Sequence, residues 1–173
     1  ICNELRAQLN PALDDETWHT HHDPDLENVL VASDSSKGWW AYVVFARDGS
    51  ISDGDNGRWS PQMKLNHIFV KEFTAAVLAI EHMCNLYPKR AIVLGVDNTA
   101  VAGALRRMYS TSHLGNELLA RVHQELNKAQ STLEVFTVIS EHNPADPFTR
   151  GKAESLSRNS QFVRLAELST IGR

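Results

Sequence analysis

The 173-residue sequence has little cysteine and no long hydrophobic run. Its two cysteines, Cys2 and Cys84, lie far apart, so their spacing predicts neither a disulfide framework nor a cysteine metal site and favours a reducing compartment. No apolar stretch reaches the roughly 18 residues of a transmembrane helix, and no signal peptide is visible. We therefore expect one globular domain of ordinary size and no membrane partner. Because the chain starts at Ile1 and not at a methionine, we also expect a fragment of a longer protein.

The sequence also lacks the positive charge of a typical nucleic-acid-binding protein, since its net charge is −4 at pH 7. The acids are concentrated at the start of the chain, where residues 1–27 contain seven acids and one basic residue. From residue 28 onward basic residues outnumber acids, and carboxylates that bind cations would leave this part more positive still. Charge therefore neither excludes a nucleic-acid substrate nor argues strongly for one.

The first 26 residues show no clean periodicity. The segment DDETWHTHHDPDLE places His19, His21 and His22 among acids, a composition that fits either a metal site or a solvated linker. Because no structure is evident there to hold three ligands in place, we favour the linker. The sequence thus divides into an acidic lead-in (1–26), a domain (27–151) and a partly helical C-terminal extension (152–173).

Apolar patterning from Asn28 onward predicts alternating strands and helices. The predicted strands are NVLVAS (28–33), Trp39–Phe45, a third near 50–53, AIVLGV (91–96) and LEVFTVI (133–139). The predicted helices are Ile68–Leu86, 98–107 and 114–129, whereas 54–66 is predicted to be a loop. Hairpin strands followed by strand–helix units predict a mixed sheet with helices on both faces.

Four carboxylates stand at places in this pattern where active sites form. Asp34 and Asp97 end predicted strands, at the sheet edge where α/β folds bind ligands, although Asp34 also suits a turn and Asp97 a helix N-cap. Glu72 lies near the apolar face of its helix, a costly place for a charge, although the helix dipole also favours an acid in the first turn. Asp146, within NPADP, opens the last predicted helix, and that position has a purely structural interpretation as well.

The four acids together predict a metal site. If the first, fourth and fifth strands are parallel neighbours, all four side chains converge on one edge of the sheet. Four carboxylates cannot all ionise at such close range without cations. Hard oxygen ligands suit Mg²⁺ or Mn²⁺, and two such ions suit the in-line cleavage of a phosphodiester.

The segments that carry these acids in the order Asp, Glu, Asp, Asp are SDSSKGWWAYVV, KEFTAAVLAIE, VLGVDNTAVAGAL and SEHNPADPFTRG. In this order the sequence resembles the ribonuclease H family over residues 28–151, and its last segment resembles the closing motif of retroelement ribonucleases H. The resemblance implies an α/β fold with a five-stranded mixed sheet in the strand order 3-2-1-4-5. It also implies a retrotransposon polyprotein, of the LTR or tyrosine-recombinase type, in which this domain follows a reverse transcriptase.

The activity that the resemblance implies is an endonuclease that hydrolyses the RNA strand of an RNA–DNA hybrid. It would use two Mg²⁺ or Mn²⁺ ions and leave a 3′-hydroxyl and a 5′-phosphate. Asp34 would bridge both ions, Asp146 would complete the shell of one, and Glu72 and Asp97 that of the other. His142, before the last acid, is the candidate for proton transfer or product release, although a surface-loop histidine fits equally well.

Other positions bear on how the substrate would be held. Ser35, Ser36 and Asn98 lie beside the acids and are candidates for contacts to RNA 2′-hydroxyls, although turn and cap roles explain them as well. Trp40 stands where the family usually has a small residue, which predicts crowding at the start of the second strand. The connection RMYSTSHLG is too short to form the basic protrusion by which cellular members of the family bind hybrids. We therefore expect a tethered reverse transcriptase to supply affinity for the hybrid. We expect the protein to work inside the cell, in the cytoplasm or nucleus.

Three other functional classes compete with this prediction. DDE transposases and integrases share the fold, but their acids run Asp, Asp, Glu along the chain, whereas here the Glu comes second. A proofreading exonuclease would need a second acid two residues after Asp34, where Ser36 stands. The alternative function is that of a catalytically silent copy of the fold beside a reverse transcriptase, and the presence of all four carboxylates argues against it.

Overall fold

The computed structural model describes residues 26–46 and 51–150. Within these ranges the elements are β1 (Glu27–Ser35), β2 (Trp39–Phe45), β3 (Ile51–Arg58), α1 (Pro61–Lys64), α2 (Ile68–Leu86), β4 (Arg90–Val96), α3 (Thr99–Arg107), α4 (His113–Ala129) and β5 (Thr132–Thr137). Two 3₁₀ turns follow, Ser140–His142 and Asp146–Thr149. The predictions for the histidine-containing lead-in and for the extension 152–173 lie outside the described residues.

The five strands form one mixed sheet in the order β3-β2-β1-β4-β5, which confirms the predicted fold class. β2 runs antiparallel to both β1 and β3, whereas β1, β4 and β5 are parallel to one another. The carboxyl ends of the three parallel strands therefore meet at one edge of the sheet, which we call the carboxyl edge. Residues that follow each of these strands are brought together there.

Both faces of the sheet are buried at its centre. On one face Val31 and Leu94 pack with helices α2, α3 and α4 in the main apolar cluster. Ala32 points to the other face, where Ala145 and Phe148 of the closing segment cover it. The continuous apolar runs of β1 and β4 follow from this double burial, since side chains alternate between the two faces. Within the described ranges, none of the helices combines the length and the hydrophobicity that a membrane span requires.

Helix α2 begins at the carboxyl edge and packs against one face of the sheet. It covers Ile68–Leu86, the range that its periodicity predicts, and buries Phe73 and Ile80 completely. β3 runs in the same direction as β1, so the connection after it delivers the start of α2 to the carboxyl edge. Glu72, in the early part of this helix, is thereby placed beside the end of β1.

The third strand is longer than the sequence pattern predicts. It covers Ile51–Arg58, and the one-turn helix α1 occupies part of the remaining predicted loop. The prediction of a loop over 54–66 was wrong because ISDGDNGR consists largely of residues that are depleted in strands. As an edge strand, β3 needs main-chain pairing with β2 more than it needs apolar side chains.

The tryptophan at the start of β2 is accommodated by a glycine. Trp40 and Gly57 are paired in the β2–β3 ladder, and a Cβ on Gly57 would lie 2.8 Å from the indole ring. The ring also stacks on Tyr42, with centroids 6.1 Å apart. The predicted crowding at this position is thus relieved by the missing side chain on the neighbouring strand.

A second glycine makes room in the centre of the sheet and supports a prediction on stability. Gly95 is paired with Phe136 on β5, and a Cβ on Gly95 would lie 2.9 Å from that ring and 2.8 Å from a methyl group of Val138. Phe136 is 0% exposed, so the ring has no free space into which to move. We expect Gly95→Ala to lower the free energy of unfolding by about 1–3 kcal/mol in denaturant titrations.

The matched control is Gly38→Ala, in the turn between β1 and β2. A Cβ there would meet nothing within 4 Å. We expect this variant to unfold within about 0.5 kcal/mol of the wild type. If the two alanine variants had the same unfolding midpoint, the close packing of Phe136 on Gly95 would be refuted.

Candidate metal centre

Asp34 is the innermost acid of the carboxyl edge. It is the penultimate residue of β1 and is only 2% exposed. The hydroxyl group of Thr149 donates a hydrogen bond to its carboxylate, with Oγ1 3.2 Å from Oδ2. Because Thr149 belongs to the second 3₁₀ turn, this bond joins the first strand to the last described element.

Two further elements bring carboxylates to Asp34. Glu72 comes from α2 and is 5% exposed, whereas Asp97 follows β4 directly and is half-buried. One carboxylate oxygen from each of the three residues lies within 4.8 Å of the other two. Asp34, Glu72 and Asp97, which we call the acidic cluster, are therefore able to hold a metal ion.

Burial and mutual repulsion disfavour ionisation of the acidic cluster. The pKa of Asp34 is raised to about 8 by burial and then by the charges of Asp97 and Asp146, against hydrogen bonds to its oxygens. The pKa of Glu72 is raised to about 9 by burial and then by Asp97 and Asp34, with hydrogen bonding from Ser35 opposing the shift. A divalent cation would offset this repulsion, and an all-oxygen donor set fits a hard ion such as Mg²⁺ or Mn²⁺.

Asp146, the fourth predicted ligand, lies beside the acidic cluster and not within it. Its charge raises the pKa of Asp34, so the two side chains are close enough to interact. Its carboxylate is held by Arg150, with Nε 2.7 Å from Oδ2 and Nη2 2.9 Å from Oδ1. This is the two-pronged geometry in which a guanidinium group binds a carboxylate most strongly.

The closing segment differs from the predicted helix start. Asp146 begins a 3₁₀ turn, and Asn143 is not the N-cap of that turn. The Asn143 side chain, 3% exposed, donates to the Ser33 carbonyl oxygen at 2.9 Å and accepts from the Ala145 amide at 3.1 Å. It thereby fastens the closing segment to β1, a long-range role that the local sequence pattern does not indicate.

Two of the predicted substrate-binding residues, Ser36 and Asn98, make the turn and cap hydrogen bonds that were their alternative roles. The Ser36 hydroxyl oxygen accepts from the Trp39 amide at 3.1 Å and closes the β1–β2 turn. Asn98 caps α3, accepting from the Ala100 and Val101 amides at 3.0 and 3.1 Å. Ser35 is 7% exposed at the end of β1, next to Glu72.

His142 lies in the 3₁₀ turn after β5 and is exposed. Within the described part of the chain it makes no hydrogen bond or ion pair with the acidic cluster. Ser140, in the same turn, does reach it: its hydroxyl group donates to Asp97 Oδ2 at 3.2 Å. The sequence pattern gives no role to Ser140, Thr149 or Arg150. Ser140 and Thr149 meet the acids only in the folded chain, whereas Arg150 lies four residues after Asp146 and pairs with it locally.

The fold can be compared with solved structures, although no protein-family model matches the sequence and no curated protein is significantly similar to it. LC11-RNase H1, solved in complex with an RNA/DNA hybrid, aligns over 74% of this chain and 99% of its own, with a TM-score of 0.58 at 13% identity. RNase H1 from the halophilic archaeon Halobacterium salinarum aligns over 72% and 97%, with a TM-score of 0.56 at 15% identity.

The chain has the ribonuclease H fold. The N-terminal RNase H domain of a Mycobacterium tuberculosis protein shares it as well, over 76% of this chain and 99% of its own, with a TM-score of 0.52 at 15% identity. In this ribonuclease H fold the acidic cluster lies at the carboxyl edge, where α/β sheets form their sites.

Proposed function

We propose that the protein is a ribonuclease H, an endonuclease that hydrolyses the RNA strand of an RNA–DNA hybrid and leaves a 3′-hydroxyl and a 5′-phosphate. The observation that carries this proposal is the acidic cluster, whose three carboxylates offer oxygens within 4.8 Å of one another on a ribonuclease H fold. The hybrid bound by LC11-RNase H1 supports the choice of substrate.

The residues of the site have separate tasks in this proposal. Asp34, Glu72 and Asp97 would hold two Mg²⁺ or Mn²⁺ ions, and Asp146 would complete the ligand set. Bound divalent cations supply a water of lowered pKa and stabilise the charge on the leaving oxygen. Thr149 orients Asp34 through the hydrogen bond between its hydroxyl and Oδ2, as supporting residues do around metal ligands.

Ser140 and His142 complete the proposed site on the side of the first 3₁₀ turn. The Ser140 hydroxyl orients Asp97 through its 3.2 Å bond to Oδ2. The imidazole of His142 is exposed, so it is open to solvent for exchanging protons during cleavage or for assisting release of the 5′-phosphate product.

We also propose the setting that the closing motif implies, a domain of a retrotransposon polyprotein that works inside the cell beside a reverse transcriptase. A tethered polymerase that holds the same hybrid would raise its effective concentration at the acidic cluster. The alternative is a catalytically silent copy that only positions nucleic acid, and the four retained acids weigh against it.

The direct test is cleavage of a hybrid whose RNA strand carries a 5′ label. With Mg²⁺ or Mn²⁺ we expect short RNA fragments on denaturing gels, with 3′ ends that a polymerase can extend. Excess EDTA should stop the reaction, and a DNA duplex of the same sequence should stay intact. RNA that remained uncut with both metals, at protein concentrations at which the hybrid is bound and in a preparation that melts cooperatively, would refute the activity and favour the silent copy.

A further inference from the structure

A tryptophan and an arginine form a cation–π pair at the carboxyl edge. Trp39 is the first residue of β2 and Arg58 the last of β3, and the two are paired in the antiparallel ladder. The guanidinium carbon of Arg58 lies 5.1 Å from the centre of the Trp39 ring. Trp39 is half-buried and Arg58 is exposed. We call this pair the Trp39–Arg58 ledge.

Strand register places the ledge beside the acidic cluster. Asp34 is paired with Ala41, which is two residues along β2 from Trp39. Side chains alternate along a strand, so Asp34, Trp39 and Arg58 belong to one face of the sheet, the face opposite α2. Asp34 and Trp39 are diagonal neighbours on adjacent strands. Residues in such positions lie about 7–8 Å apart, within reach of an aromatic side chain.

The chemistry of the ledge suits a phosphate group. An arginine presents a planar fork of donors that matches two phosphate oxygens, and stacking on an aromatic ring restricts the orientation of that fork. Because Arg58 is already oriented by Trp39, less conformational freedom is lost when it binds an anion. An exposed cation here also counters the repulsion between the acidic cluster and a polyanionic substrate.

We propose that the Trp39–Arg58 ledge binds a backbone phosphate of the nucleic acid next to the phosphate that is cleaved. Arg58 is the residue that contacts this phosphate, and Trp39 is the residue that positions Arg58. The proposal rests on the proposed function, since it takes the RNA–DNA hybrid as the occupant of the acidic cluster. The axial rise per nucleotide of one strand is about 3.4 Å, and the backbone also winds round that axis. The next phosphate therefore lies several ångströms from the cleaved one, a distance comparable to the diagonal spacing between Asp34 and Trp39.

The test is equilibrium binding of a fluorescently labelled hybrid to the full chain, in Ca²⁺ and over a series of salt concentrations. For Arg58→Ala we expect about tenfold weaker binding at low salt and a slope of log affinity against log salt that is smaller by about 1. Trp39→Ala should show a similar loss, and the double variant should be little worse than either single variant, because both changes remove one contact.

Two conservative variants separate stacking from charge. Trp39→Phe keeps an aromatic face and should retain most of the affinity. Arg58→Lys keeps the charge but not the fork, so it should keep the wild-type salt slope and bind more weakly than the wild type. Thermal melting of each variant checks that the fold is intact.

The matched control removes a cation at the opposite edge of the sheet. Lys128 is exposed in the last turn of α4, which leads into the start of β5. Lys128→Ala should leave both affinity and salt slope unchanged. A wild-type slope for Arg58→Ala would overturn the phosphate contact, and additive losses in the double variant would overturn the positioning role of Trp39.

Binding and cleavage together distinguish the ledge from the proposed function. If the wild type binds hybrid through Trp39 and Arg58 but does not cut it, the proposed function fails and the ledge stands. If the wild type cuts hybrid while Arg58→Ala binds it with the wild-type slope, the ledge fails and the proposed function stands. A wild-type protein that neither binds nor cuts hybrid overturns both.

Discussion

Asp34→Asn is expected to lower the rate of hybrid cleavage by at least about a thousandfold. The amide has nearly the size of the carboxylate but carries no negative charge, and it places a donor group where a cation would bind. Asp34 is the most buried acid of the cluster, at 2% exposed, so solvent cannot replace the lost ligand. Single-turnover cleavage of labelled hybrid with Mg²⁺ measures the effect.

The matched control is Asp53→Asn, which makes the same chemical change elsewhere in the sheet. Asp53 is paired with Val44, towards the end of β2 away from the carboxyl edge. We expect this variant to cut hybrid at close to the wild-type rate. If both variants cut equally fast, Asp34 has no part in the reaction.

The same substitution at Asp34 should not destabilise the fold. The pKa of this carboxyl is raised to about 8 chiefly by burial, so its charge is costly in the folded protein. The neutral asparagine avoids that cost. We therefore expect Asp34→Asn to melt no lower than the wild type at pH 8 in EDTA, which separates the loss of activity from unfolding.

The second large effect is a fall in stability as the pH rises, measured in EDTA. In the folded protein Asp34 and Glu72 have pKa values raised to about 8 and about 9, whereas in the unfolded chain carboxyl groups titrate near pH 4. Between these limits the folded protein binds more protons than the unfolded chain, so the free energy of unfolding decreases with pH. The decrease should begin above about pH 4 and level off above about pH 9.

Thermal melting at pH 5 and pH 8 measures this effect. We expect the wild-type melting temperature in EDTA to drop by about 5 °C or more over that interval, and Asp34→Asn and Glu72→Gln each to reduce the drop. Mg²⁺ or Mn²⁺ should raise the melting temperature more at pH 8 than at pH 5, because metal and protons compete for the carboxylates. A metal effect that was equal at both pH values and unchanged in Asp34→Asn would contradict this account.

The elements that bury side chains were predicted well from the sequence. β2 and α2 have the predicted bounds, because apolar periodicity records which side chains face the core. β3 was predicted too short, because an edge strand rich in Asp, Gly and Asn shows no apolar periodicity. The packing of Trp40 on Gly57 was also missed, since it depends on the pairing register of two strands.

The candidate site was predicted in part. The sequence predicted that Asp34, Glu72 and Asp97 lie close together. Local pattern shows which acids stand at a strand end or on a helix face, and strand order shows which of these positions are neighbours. The position of Asp146 outside the acidic cluster, with its carboxylate bound by Arg150, could not be predicted. It depends on the geometry of a short 3₁₀ turn, which hydrophobic periodicity does not indicate. The contacts of Thr149 with Asp34 and of Ser140 with Asp97 likewise arise only when distant segments meet.

Two hydrogen bonds have a consequence for a chain that is made from its amino end. Asn143 holds the Ser33 carbonyl and Thr149 holds the Asp34 carboxylate, and the partners are 110 and 115 residues apart. During translation β1, α2 and β4 therefore leave the ribosome well before the segment that braces Asp34. A nascent chain lacks this support until residue 149 has emerged from the exit tunnel. Because the segment with Thr149 and the proposed ligand Asp146 is made after the other elements of the site, we expect the proposed nuclease to cut only once that segment has emerged.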